Sequence, residues 1–398
     1  MLAVVGSLPF LIWGAANVPY WDDWEVCRPL LGAIGWWRWI AEPHIDHVMP
    51  VPRLLLALSA KAGLLSPRLE QWVGALCLVA ATSRLARDLA SSAGIVEACV
   101  VAVALGATSA WENMTMGWQF HLLLAFALST AALRTVFERP LLATALSWVA
   151  SFCYAGSLAA LPVVLLASVR VKTSLRRRLV MAAIWVFGVI GFLLLRQLPS
   201  EIDATIEGLR PESGARHEPA LWLLHAVQLV GAAFVPVKSS PAACLAVGLA
   251  VLTTAIVTCV QRRSAIGSLM ILTVVGYSLA VAWGRLQWGE ALLDVSRYFT
   301  FPRLLAYPIA LATRVTRANA ALSALLVVLV GISWVSVFPL ARQRSVENDQ
   351  AYCCARAEAS RRVEHLAEIA PNAERATACL DSQPAIFPTC DANACSAP

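Results

Sequence analysis

Residues 19–53 read PYWDDWEVCRPLLGAIGWWRWIAEPHIDHVMPVPR, and the reading of this stretch decides how the rest of the chain folds. One apolar segment precedes it and a long series of apolar segments follows. Within it Asp22, Asp23, Glu25, Glu42, His44, Asp46 and His47 are interleaved with Trp21, Trp24, Trp36, Trp37 and Trp39. Carboxylates and imidazoles thus share one segment with an aromatic type that concentrates at membrane surfaces. The stretch reads as a surface loop between membrane spans, and its side chains as those of an active-site loop.

Outward from that loop, the 398 residues are 59% hydrophobic and 14% charged, with a mean hydropathy of +0.68. A soluble protein carries about 25% charged residues. Apolar runs of roughly 17–22 residues recur, each long enough to cross a hydrocarbon layer about 30 Å thick as a helix. The expected fold is an all-α polytopic integral membrane protein. Its formal charge of +6 does not point to nucleic acid, because the bases lie in short clusters between apolar runs, where they set topology. The N-terminus, MLAVVGSLPFLIWGAANV, lacks the basic region and small-residue cleavage site of a secretory signal and reads as a retained first helix.

Five basic clusters give the orientation: Arg84 with Arg87, Arg134 with Arg139, Arg170 to Arg178, Arg262 with Arg263, and Arg314 with Arg317. The positive-inside rule assigns these turns to the cytoplasm, so loops 19–65, 111–119 and 284–300 and the tail from 339 face outward. About eleven crossings follow, near 2–18, 66–83, 93–110, 120–136, 141–153, 156–169, 179–196, 241–260, 265–283, 301–313 and 318–338. Residues 141–168 are read as two short helices turning near Phe152–Gly156, and 220–237 as an interfacial or re-entrant segment. Leu54–Leu65, interrupted by Arg53 and Lys61, is read as an amphipathic helix on the outer surface. A domain of residues 1–338 is thus followed by a small extracytoplasmic tail, 339–398, carrying Cys353, Cys354, Cys379, Cys390 and Cys395. In an oxidising compartment four of these thiols can pair, with the connectivity open. Their spacings match no standard zinc pattern.

Four motifs carry candidate chemistry. Asp22-Asp23 is an acidic pair among aromatics that exclude water, suited to general-base work, and equally to capping a helix. His44-Ile45-Asp46-His47, with Arg53 close behind, can bind a divalent metal with partners from elsewhere, orient a sugar, contact a phosphate, or form a plain polar turn. Glu112, Asn113, Gln119 and His121 sit around Trp111 and Trp118 at a depth where polar groups are expensive, which favours burial against partners or in a cavity. Arg285, Arg297 and Tyr298 stand at the outer end of a late span. There the arginines can grip a phosphate in two-pronged fashion, snorkel to head groups, or pair with Glu290 and Asp294.

An outward loop opening Asp-Asp-Trp resembles bacterial members of the GT-C membrane glycosyltransferases when it is joined by three further elements. These are His-x-Asp-His with Pro-Arg, Trp-Glu-Asn with Gly-Trp-Gln-Phe, and a late Gly-Arg with Ser-Arg-Tyr. The likeness to protein O-mannosyltransferase and aminoarabinose transferase type enzymes is distant and covers the spans up to about residue 313. It implies a sugar donor on polyprenyl phosphate, an Asp of the first outward loop as base toward a glycan, lipid or protein acceptor, and inversion at the anomeric carbon. Carried over, Asp23 or Asp22 is the base, with Asp23 preferred for its place between Asp22 and Trp24. Arg285 and Arg297 are candidates for the lipid phosphate, with His44, Asp46, His47, Arg53, Glu112, Asn113, Gln119 and Tyr298 as further substrate contacts. Val48 stands where such enzymes would be expected to have a base, which weakens a phosphate role for that element. The implied location is a bacterial inner membrane, with the site extracytoplasmic. No cofactor is implied beyond the open divalent metal, and no Walker or Gly-x-Gly-x-x-Gly sequence offers a nucleotide cradle. The competing expectation is a transporter or flippase of lipid-linked sugar, with broken helices near the bilayer midplane.

Overall fold

The computed structural model describes residue 12 and residues 17–19, 21–44, 47–106, 112–172, 174–199, 218–236, 238–285, 293, 295–312, 317–357, 361–367, 369–370 and 372–382. Among these the chain is helical, with no strand; its one β-bridge joins His44 to His47. Among the described residues four helices are long and apolar enough to cross a membrane: Leu175–Arg196, Pro241–Arg262, Ala265–Arg285 and the stretch Ala324–Ala357. Shorter apolar helices cover Ile95–Gly106, Pro140–Ser151, Ala155–Val169 and Pro219–Ala232. The chain is an all-α membrane protein. Most of the expected first crossing, 2–18, lies outside the described residues.

Local chemistry explains the element boundaries. Pro67, Pro140, Pro219 and Pro241 open helices, where the missing N–H of proline costs nothing. Ser240 and Ser174 cap theirs by accepting the backbone N–H of Ala243 and Arg177. The apolar run 141–168 is interrupted between Ser151 and Ala155, and its turn is buried in protein at Cys153 and Tyr154. Gly156 permits this: a Cβ there would stand 2.4 Å from Tyr154 and 2.6 Å from Tyr277. Helices Pro219–Ala232 and Pro241–Arg262 approach so closely that a Cβ on Gly231 would meet the Cys244 carbonyl at 1.7 Å and one on Gly248 the Val227 carbonyl at 2.0 Å. Helix Leu175–Arg196 fully buries only Met181; Trp185 and Phe192 pack on Trp148 and Phe152, and the rest of its apolar surface faces outward.

The helix expected on the outer surface runs Pro50–Lys61, beginning four residues before the expected start at Leu54. It buries Arg53, Leu56, Ala57 and Ala60 and exposes Leu54, Leu55 and Leu58. The last long helix, Arg317–Ala357, runs through residues 338–339, where the sequence suggests a domain boundary, and carries Pro339 inside it. At its end the tail folds back: Tyr352, Ala355, Leu366, Ile369, Cys379 and Leu380 form an apolar core with Val18, just before the first loop, and with Trp24 and Cys27 within it. Cys379 is disulfide-bonded to Cys27, and Cys353 and Cys354 are also disulfide-bonded.

Candidate functional site

The turn Trp21–Val26 presents two adjacent acids in different surroundings. Asp23 is 8% exposed and accepts the backbone N–H of Trp118. With Glu70, Leu56 and Trp118 it borders a cavity of about 10 Å³, room for roughly one water. The Asp22 side chain is 33% exposed and lies 3.6 Å from Nε2 of His44. Burial alone would raise the Asp22 pKa. The charge and hydrogen bond of His44, with the charges of Arg297 and His121, outweigh it and hold the carboxyl at about 2.

His44 and His47 exchange both backbone hydrogen bonds, at 2.7 and 2.8 Å, so their rings rise from one tight hairpin. The His44 ring lies 5.4 Å from Trp118, and the His47 ring 5.1 Å from Tyr154. His121 lies 5.9 Å from each of those two aromatics. Its Nδ1 bonds the Trp118 carbonyl, which can only accept, so Nδ1 carries the proton and Nε2 keeps a lone pair in the neutral ring. Tyr154, which sequence reasoning did not single out, therefore links two histidines. Its only signal in the sequence is a polar-tipped aromatic in the break between two short apolar helices.

The late motif approaches from the other side. Arg297 is half-buried in the short helix Ser296–Phe299, and its backbone is held at both ends by consecutive residues of a distant hairpin. Glu112 accepts the Arg297 N–H at 2.9 Å, and Asn113 donates to the Arg297 carbonyl at 2.9 Å and to Thr300 at 2.8 Å. The guanidinium stacks on the Tyr298 ring at 5.5 Å, and Arg285 Nε donates to the Tyr298 hydroxyl at 3.2 Å. Burial opposes the Arg297 charge, but Tyr298, Glu112 and Asp22 more than compensate and raise its pKa. Tyr277 closes the path between the two halves: its ring is 6.3 Å from Tyr154 and its hydroxyl donates to the Tyr298 carbonyl at 3.3 Å.

The site candidates thus divide. Asp22, His44, His47, Arg285, Arg297 and Tyr298 converge, with His121, Tyr154 and Trp118 between them. Glu112 and Asn113 grip backbone, and Gln119 is buried at 6% exposure. Arg53 is committed to backbone, although the Asp22 charge also reaches it. Fully buried, it donates to the carbonyls of Trp39, at 2.6 Å, and Glu42, and lies over the Trp39 ring. Burial pulls its pKa down to about 10, which still leaves it charged at neutral pH. Beside it Arg28 pairs with Glu42 at 2.8 Å and Glu25 at 3.5 Å. Asp46 lies outside the described residues. Among the described residues, no group of three or more His, Cys, Asp or Glu is arranged to hold a metal ion. The chain matches no family model, no curated protein and no solved structure.

Proposed function

We propose that the chain is a membrane glycosyltransferase of about eleven spans, GT-C-like, that moves a sugar from a polyprenyl-phosphate donor to an acceptor hydroxyl on the extracytoplasmic face. The observation that carries the reading is Asp22, a partly exposed carboxylate 3.6 Å from His44 and within electrostatic reach of Arg297, a residue of the late motif. Arg297, with Arg285 and Tyr298 beside it, suits the donor phosphate, since a guanidinium offers paired N–H groups to paired oxygens. Asp22 is the better base of the pair, because Asp23 is occupied and buried. The acceptor hydroxyl gives its proton to Asp22 and attacks the anomeric carbon, while the polyprenyl phosphate departs with the bonding electrons.

A carboxylate at about 2 is a weak base, and the donor itself corrects this. A phosphate anion on Arg297 cancels the positive charge that helps to depress Asp22 and adds a negative one nearby. Both changes raise the Asp22 pKa toward neutrality only when donor is present. His44 and His47 then orient acceptor or sugar.

One observation favours the transporter reading: the chain is broken at 152–154 and rebuilt from short helical pieces at 296–305, as in helices that open around a translocated ligand. The deciding experiment reconstitutes the protein in nanodiscs with a panel of polyprenyl-phosphate sugars and measures donor binding and sugar transfer. Transfer abolished by Asp22→Asn, with donor still bound, supports the transferase. Facilitated movement of donor across vesicles without transfer supports the transporter.

A further inference from the structure

The described cysteines separate into two groups. Cys77, Cys99, Cys153, Cys244 and Cys259 lie in or beside helices and are not disulfide-bonded. Those of the first loop and tail that are described, Cys27, Cys353, Cys354 and Cys379, are all disulfide-bonded. The Cys27–Cys379 bond joins residues 352 positions apart, with Cα atoms 5.6 Å from one another. Cys27 opens the helical turn Cys27–Leu30, which continues directly from the turn that carries Asp22. Both sulfurs are fully buried in the apolar cluster where Trp24 faces Tyr352 at a ring distance of 6.4 Å. The Asp22 turn is therefore held on one side by the bond from Trp118 to Asp23 and on the other by the tail.

We infer that the tail is a positioning element of the site, fastened through Cys27–Cys379 to the turn that bears Asp22, and that oxidation of these two thiols completes the site. In that step a disulfide-bearing oxidant, protein or small molecule, exchanges with the two thiols. The sulfurs of Cys27 and Cys379 bond to each other, and the oxidant takes up two electrons and two protons and leaves as a dithiol. The loop and the tail must then share one oxidising compartment, whichever membrane holds the protein. The catalytic half of this inference rests on reading Asp22 as the base; the anchoring half does not.

The test uses full-length protein purified without reductant in nanodiscs. Proteolysis should release a peptide pair joining Cys27 to Cys379 that separates on reduction. Treating the folded protein with a dithiol, or substituting Cys27→Ser or Cys379→Ser, should speed hydrogen exchange over residues 21–30 by about ten-fold or more while helix Pro241–Arg262 stays protected. Turnover should fall by about as much with donor affinity retained, a split that general unfolding would not produce. Cys99→Ser should change neither. Absence of the linked peptide, or unchanged exchange over 21–30 after reduction, overturns the anchor. Faster exchange with undiminished turnover overturns the positioning role. An oxidised parent that transfers no sugar counts against the transferase reading alone, because the peptide and exchange measurements still judge the anchor.

Discussion

Two charged clusters grow from the same first loop, and they are built to opposite ends. In one, Arg28, Glu42 and Arg53 are at most 1% exposed and engage one another, Glu25 and the backbone of Trp39 and Glu42. In the other, the Asp22 side chain stays 33% exposed and faces His44, with Arg297 near enough to lower its pKa. The first cluster spends its charges on holding the short helix Trp36–Ala41 against helix Pro50–Lys61. The second leaves the Asp22 carboxyl partly exposed and open to a ligand, with the Arg297 charge acting on it. Enclosure is what separates them.

The sharpest way to break this contrast is Asp22→Asn. General-base catalysis contributes typically about 10²–10⁴ in rate, so turnover should drop by roughly that factor with donor binding preserved and the unfolding midpoint lowered only by the lost stabilisation of the ionised carboxylate. Asp23→Asn keeps an oxygen for the Trp118 N–H and should cost far less turnover. Equal losses at both positions would erase the distinction between the acids.

Arg28→Met should do the reverse. It removes the buried Arg28–Glu42 ion pair, and breaking such a pair typically costs about 3–5 kcal/mol, so it should lower the unfolding midpoint sharply while surviving folded protein keeps donor affinity. A stable Arg28→Met variant with lost donor binding would move this cluster into the site.

These opposed expectations also mark what the sequence could disclose. Helical membrane architecture was legible from 59% hydrophobic residues and recurring apolar runs, since lipid leaves the backbone few other ways to satisfy its polar groups. The residues of the candidate site were legible as polar types at span ends. Their roles were not: Arg53 and Arg297 look alike in sequence, and only the position of the Trp39 and Glu42 carbonyls closes off the first. Nor does spacing disclose that Glu112 and Asn113 hold backbone 184 residues away or more, because both jobs favour a buried acid and amide. Cys27 was missed for the same reason. A single loop cysteine acquires meaning only when the tail folds back onto it.

A smaller effect tests the grip on Arg297. Asn113→Ala removes the donor to the Arg297 carbonyl and to Thr300 and leaves both acceptors buried, so it should weaken donor binding by about ten-fold, on the scale of one lost buried hydrogen bond. Arg297→Lys should weaken it similarly, because lysine keeps the charge and loses the fork. If Asn113→Ala alters kcat alone and spares donor affinity, the hairpin acts on chemistry rather than on the arginine.

The smallest effect is a displacement of a pH limb, and its sign follows from the Asp22 environment. The reaction needs ionised Asp22, so activity falls as pH drops through its pKa. Without donor that pKa is held at about 2, below the value of 3.8 for an unperturbed Asp, so the stability contributed by the ionised form is present above about pH 4 and lost as pH falls toward 2. With donor phosphate on Arg297 the carboxylate loses part of its stabilisation, and its pKa must rise. The acid limb of kcat, which reports the donor-loaded protein, should therefore lie at higher pH than the limb of kcat/KM measured for the donor, which reports the free protein. Acid unfolding followed in parallel separates the two causes of lost rate. Coincident limbs would mean that donor charge does not reach Asp22, and Arg297 would then have to bind something other than the leaving phosphate.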